Sequence, residues 1–206
     1  MGGDSLHATK YKKGNYYGVA NYAKHRTQLA HNEAYHKYLI FDDIFSADVV
    51  INLPKLKMHK KAGISCCLKN FIGIVGHKDY IPHFVFGSPR TGGDEFPIKG
   101  RFYEAIWAVY HKEWEFDSGF RKYLLGKFAS SLARAYNVSH KENFFTYSGG
   151  GWSGNDTLWR SILDINRIFF YFDRKANNLN ELQHEFPKYL AIVDGIIGGE
   201  KESPLE

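Results

Sequence analysis

The order of patterns along this chain predicts an α/β fold: a mixed or mostly parallel sheet flanked by helices, with one long functional loop. Three observations carry the prediction. Two short β-branched and apolar runs, HKYLIF (36–41) and ADVVINL (47–53), are bounded by polar residues in the manner of buried strands. A helical rhythm follows from Ile64, and a stronger one returns in TLWRSILDINRIFFYF (157–172). Strand, loop and helix in that order are half of a βαβ unit, whose ligands sit in the crevice beyond the strand's carboxyl end.

Each element has its own reason. Pro54 ends the second strand because it lacks the N–H a ladder needs. A basic loop follows, and a helix is expected to start near Gly63. Ile64, Cys67, Leu68, Phe71, Ile72 and Val75 would form its buried face, with Ser65, Lys69 and Gly73 opposite. Residues 77–100 hold three prolines and several glycines without periodicity, so they read as a long ordered loop. Helices are expected near 101–114 and 119–136, the second with Phe120, Leu124, Phe128, Leu132 and Tyr136 at helical spacing. Asn155 or Asp156 is placed to cap the helix after YSGGGWSGND. The tail YLAIVDGIIGG reads as a strand ending at Asp194, then a glycine turn.

Composition narrows the function. The chain has 206 residues, enough for a single domain with a real core, and residues 1–206 are read as one α/β domain of a longer protein whose amino-terminal part is missing. Aromatic residues make up 17%, which argues for a packed or ligand-stacking interior and against disorder. No segment approaches the roughly 20 apolar residues of a membrane helix, and no apolar leader is visible, so a cytoplasmic, non-membrane protein is expected. Its two cysteines, Cys66 and Cys67, are adjacent, a poor arrangement for an ordinary disulfide.

The net charge of +5 is local. Lys55, Lys57, Lys60, Lys61, Lys69, Lys78 and Arg90 fall between Pro54 and Arg90 against one acid, Asp79, which leaves the rest near neutral. A cation cluster after a buried strand points to a small phosphate- or carboxylate-bearing ligand. Lys55, Lys57 and Lys69 would neutralise it, with Gly63 and Asn70 as further contacts. His59 would shuttle a proton or bind metal, forming a catalytic pair with Lys69. Asp79, His83, Asp94 and Glu95 could close over the ligand from the long loop. His59, His77 and His83 are the candidate set for a divalent metal, although their spacing matches no standard zinc motif. On the late helix Asp156, Arg160, Asp164 and Arg167 recur three and four residues apart, either as a salt-bridged surface stripe or, with Asn155, as a flank of the anion site. The competing reading is a non-catalytic interaction module whose basic loop docks an acidic partner or another domain. Nucleic acid is an unlikely partner because no RRM, KH or helix-turn-helix pattern accompanies the charge.

The blocks SADVVINLPKLKMHKKAGISCCLKNFIGIVGHKDYIPH, GGDEFP, GNDTLWRSILDINRIFFY and IVDGIIGGE resemble the domain of unknown function 362 family over about residues 35–200. The resemblance implies an α/β fold and brings no activity with it. Some relatives carry an appended ferredoxin-like domain with repeated cysteine motifs; this chain has no such motif, so no iron–sulfur cluster is implied. Lys201 and Ser203 stand where that family's closing motif has glycines. A shorter stretch, His59, Gly63 and Lys69, is similar in spacing to the nickel-pincer lactate racemases, in which the matching histidine shuttles protons and the matching lysine is linked to the cofactor. Here Cys66 and Cys67 replace the glycines usual before that lysine.

Overall fold

The computed structural model describes residues 5–10, 15–173, 178–179 and 188–200. In chain order its elements are β1 (Tyr17–Gly18), α1 (Lys24–Ala30), α2 (Asp43–Ser46), β2 (Val49–Asn52), β3 (Lys55–His59), β4 (Gly63–Ser65), α3 (Cys67–Asn70), β5 (Phe84–Val85), α4 (Arg101–Trp114), α5 (Phe120–His140), α6 (Leu158–Tyr171), β6 (Phe172–Asp173), β7 (Asn178–Leu179), β8 (Lys188–Ala191) and β9 (Asp194–Gly199). Helices beside small parallel and mixed sheets make this the expected α/β class. Lys201 and Ser203 lie outside the described residues.

β2 ends at Asn52, ahead of Pro54 as expected, and β3 resumes at Lys55 in a separate sheet. β2 pairs in parallel with β8, and β3 pairs in parallel with β9. Between them backbone hydrogen bonding continues through Ile192 N donating to Asn52 O and Asp194 N donating to Pro54 O, both 2.9 Å. Proline lacks a donor but keeps its carbonyl, so it can sit at this junction. Val50 and Tyr189 pack from one side of the ribbon onto Phe71, Ile165 and Phe169, while Val49, Ile51, Leu53, Leu190 and Ile192 are exposed.

The structure corrects several expected elements. HKYLIF makes only isolated bridges, His31 to His36 and Ile40 to Val75, because its hydrogen bonds go to two separate partners and no ladder builds. The expected basic loop is an antiparallel hairpin, β3–β4, with Lys57 opposite Ser65 and His59 opposite Gly63. Lysines at alternate positions hid its period of two, since their aliphatic stems pack while their charges stay wet. Gly63 lies in that hairpin at φ +75°, and the helix begins four residues later at Cys67, tightening into a 3₁₀ turn over Phe71–Ile74. The tail forms two strands, β8 and β9, and the glycine run is itself part of the ribbon. α4 spans the expected 101–114, α5 runs four residues further than expected, and α6 matches closely.

Within residues 77–100 the stretch 81–96 supplies much of the core. β5 pairs antiparallel with β1, and Phe84 and Phe96 are buried in an aromatic cluster with Tyr103, Trp107 and Phe144. Trp107 stacks on Phe96 and Phe144 at 5.7 and 5.1 Å between ring centroids, so here the high aromatic content serves packing. The segment folds back tightly at Gly93, where an added Cβ would lie 2.3 Å from Phe86 O and 2.4 Å from Gly87 O. Backbone cannot yield as a side chain can, so Gly93→Ala is expected to cost about 1–3 kcal/mol, measured as a lowered urea midpoint.

Candidate functional site

The alternation of β3 puts Lys55, Lys57 and His59 on one face, and hairpin register adds Ser65 to it. α3 follows at once and turns Lys69 and Asn70 back over the same face. Lys55, Lys57, Ser65, Lys69 and Asn70, with Pro54, Cys66, Ile72 and Gly73, line a cleft of about 310 Å3. None of those lining side chains is a carboxylate, while three are ammonium groups. Lys55 Nζ reaches Asp194 Oδ2 at the rim, 3.1 Å away. Ser65 is 7% exposed, and its buried Oγ has no hydrogen-bond partner among the described residues, a cost unless something fills the cleft. Asn70 is held in place by donating to Asn52 Oδ1 at 2.7 Å, and Asn52 in turn donates to Cys67 O and the Tyr189 hydroxyl. A larger hollow of about 570 Å3 lies on the α4–α5 surface, where a carboxylate, Glu113, shares the lining with Lys122, Lys127 and Arg134.

His59 belongs to the tip of the hairpin, and His83, just ahead of β5, feels the charge of Lys61 at that tip. His59 Nδ1 accepts from Lys61 N and Ala62 N, each at 3.2 Å, and so closes the turn. In the neutral ring this places the proton on Nε2, making His59 a donor; taking up a second proton would displace both turn bonds. His83 Nδ1 donates to Ile81 O at 2.7 Å, and burial, then the Lys61 ammonium, push its pKa down to about 4. His77 Nδ1 accepts from Asp79 N at 3.2 Å and lies 3.4 Å from Asp79 Oδ2, a pairing local to its own turn. Among the described residues no group of three or more His, Cys, Asp or Glu side chains is placed to hold a metal ion, so His59, His77 and His83 do not form one ligand set.

The acids and the late-helix residues are engaged elsewhere. Asp94 is buried and accepts from Lys10 Nζ at 2.8 Å, Asp156 N at 2.7 Å and Thr157 Oγ1 at 2.6 Å. Glu95, also buried, accepts from Gly87 N at 3.1 Å and His111 Nε2 at 2.8 Å. Both lie inside the fold and not over the cleft. The N-cap of α6 is Thr157, not the expected Asn155 or Asp156; Asn155 Oδ1 accepts from Thr157 N and Leu158 N just ahead of the helix, while its amide donates to His83 O and Gly150 O. Burial raises the Asp156 carboxyl, yet the Arg160 guanidinium and Lys10 outweigh it and hold its pKa below the ordinary value. Arg160 also donates to Leu6 O at 2.7 Å and Thr9 Oγ1 at 3.0 Å, so it straps residues 5–10 to α6. Asp164 is fully buried and accepts from Ser5 Oγ, Leu6 N and Tyr38 OH, so the acid–base series is no surface stripe.

The model of a domain of unknown function, DUF362, matches residues 11–206. This chain belongs to the DUF362 family. No curated protein and no solved structure matches it. The racemase-like spacing of His59, Gly63 and Lys69 therefore rests on those residues alone, and the hairpin leaves His59 capping a turn while Lys69 lines the cleft.

Of the residues expected at the anion site, this DUF362 chain brings together Lys55, Lys57, Lys69 and Asn70, and leaves the long-loop acids and α6 apart from them. Sequence reasoning missed Ser65 as a contact, though its place four residues before Lys69 was the available signal. It also missed a buried cluster of His7, His31 and His36, whose sequence spacing carries no signal. No described helix is long and apolar enough to cross a membrane.

Proposed function

We propose that this DUF362 chain binds a small phosphate- or carboxylate-bearing ligand in the cleft between the β3–β4 hairpin and α3. The observation that carries the reading is the buried Ser65 Oγ, without a hydrogen-bond partner among the described residues, in a cleft lined by three lysines. An anion there would accept from the hydroxyl and gain from each ammonium, in a partly dry site where charge–charge attraction exceeds its value in water. Lys55, Lys57 and Lys69 neutralise the ligand, and the fixed Asn70 orients it. His59 supports the site as a turn cap and Nε2 donor; using it as a base paired with Lys69 would require opening the hairpin turn. The chemistry supported best is binding.

The test is an amide chemical-shift titration with pyrophosphate. Saturable shifts centred on Lys57, Ser65, Lys69 and Asn70 are expected. Lys69→Ala should weaken binding roughly 10-fold or more, the worth of a charged hydrogen bond, and Ser65→Ala about 5-fold. A folded Lys69→Ala protein that titrates like wild type would remove the site. The alternative, a module docking an acidic partner or another domain, draws support from the exposed face of Val49, Ile51, Leu53, Leu190 and Ile192. It predicts pyrophosphate shifts that spread evenly and vanish at modest salt.

A further inference from the structure

Cys66 and Cys67 are the two cysteines of the chain. Neighbouring side chains point to opposite faces in a strand and diverge by about 100° in a helix, so adjacent thiols rarely meet. This pair straddles a junction. Cys66 has extended backbone, φ −156° and ψ −156°, directly after β4, and Cys67 opens α3. The switch from strand to helix geometry swings the sulfurs together, Sγ to Sγ 3.8 Å. Both cysteines are partly exposed, and Cys66 lines the cleft. Their backbone is pinned by Asn70 N donating to Cys66 O at 3.1 Å and Asn52 Nδ2 donating to Cys67 O at 2.9 Å.

The spacing discriminates between possible uses. A disulfide needs its sulfurs about 2.05 Å apart. One soft centre bonded to both sulfurs at about 2.3 Å each bridges a gap somewhat under twice that length, within reach of a pair 3.8 Å apart. We propose that Cys66 and Cys67 form a vicinal dithiol that chelates one soft, thiophilic centre of the trivalent-arsenic class at the edge of the cleft. Soft thiolate donors select such centres. A trivalent arsenical that carries its own organic substituent needs only two protein ligands, which suits a site with no third His, Cys, Asp or Glu ligand among the described residues. Burial pushes the Cys67 thiol up, with Cys66 adding to the effect, so this sulfur stays protonated near neutral pH until an electrophile displaces the proton.

With phenylarsine oxide the step is a condensation. Two As–S bonds form, the arsenic–oxygen bond breaks, and the oxygen leaves as water with the two thiol protons. Arsenic remains trivalent, so neither oxidant nor reductant is needed. The experiment treats the reduced full chain with phenylarsine oxide, then measures adduct mass and remaining thiols. The expected result is one arsenical per chain and no titratable thiol, in an adduct that survives excess 2-mercaptoethanol and is removed by 2,3-dimercaptopropanol. Cys66→Ser and Cys67→Ser, each checked for folding by circular dichroism, should give adducts that the monothiol strips. Two arsenicals per wild-type chain, thiols that stay titratable, or a wild-type adduct stripped as readily as those of the variants would overturn the proposal.

Discussion

Asp94→Ala is expected to lower the stability of the chain by about 3–5 kcal/mol, the cost of leaving one side of a buried ion pair without its partner. Asp94 is 3% exposed, and its two oxygens gather three parts of the fold. Oδ1 accepts from Val85 N in β5 at 2.5 Å; Oδ2 accepts from Lys10 and from Asp156 N and Thr157 Oγ1 ahead of α6. Its backbone carbonyl also accepts from Trp152 Nε1 at 2.8 Å. Removing the carboxylate takes an acceptor from two backbone N–H groups and leaves Lys10, whose side chain is 10% exposed, with Asp156 at 3.2 Å. Against a total stability of roughly 5–15 kcal/mol such a loss is large. Asp94→Asn keeps the size but loses the charge, so it should fall between the two. Urea midpoints followed by circular dichroism check both variants. Pyrophosphate binding by folded Asp94→Asn should match wild type, because Asp94 is not a cleft residue. An Ala variant within 0.5 kcal/mol of wild type would show that the network is dispensable.

Asp94 also marks where sequence reasoning reached its limit. The absence of periodicity in residues 77–100 points to a long ordered loop closing over the ligand, whereas β1, α4 and α6 draw its acids into the fold from far away in sequence. Local patterns reached further where spacing alone decides geometry. Ser65, Lys69 and Gly73, expected on one side of a continuous helix, do share the cleft although they sit on a strand end, a helix and a 3₁₀ turn. Positions four apart remained on one side while the conformation beneath them changed. β2, α4 and α6 were legible because each buries one face with a regular period. The hairpin was hidden because its charged side chains occupy alternate positions, and charge was taken for loop.

Acid should destabilise this protein from about pH 6.5 downward through its buried histidines. His7, His31 and His36 are at most 1% exposed and lie 5.2–6.2 Å apart between ring centroids. Tyr17 and Tyr38 pack edge-on against them. Ser161 Oγ donates to Pro82 O, so the 3.0 Å contact with His7 Nε2 requires the histidine to donate. His7 Nδ1 is then a buried lone pair without a partner among the described residues. His31 Nδ1 and His36 Nδ1 face each other at 3.3 Å, a bond that needs one of them unprotonated. Burial lowers all three: His31 to about 3, His36 to about 4, and His7 well below its usual value. The unfolded chain takes up these protons near pH 6.5 while the folded chain refuses them, so the unfolded state binds more protons and stability falls with falling pH. The contribution is intact above about pH 6.5 and declines towards pH 4, each ring adding up to about 1.4 kcal/mol per pH unit. His83, also lowered to about 4, adds its own share. Urea unfolding at intervals across that window should show the slope, and His31→Gln or His36→Gln should remove about one proton's worth of it. A His31→Gln, His36→Gln double variant that loses stability as steeply as wild type between about pH 6.5 and 5 would place the acid sensitivity outside this cluster.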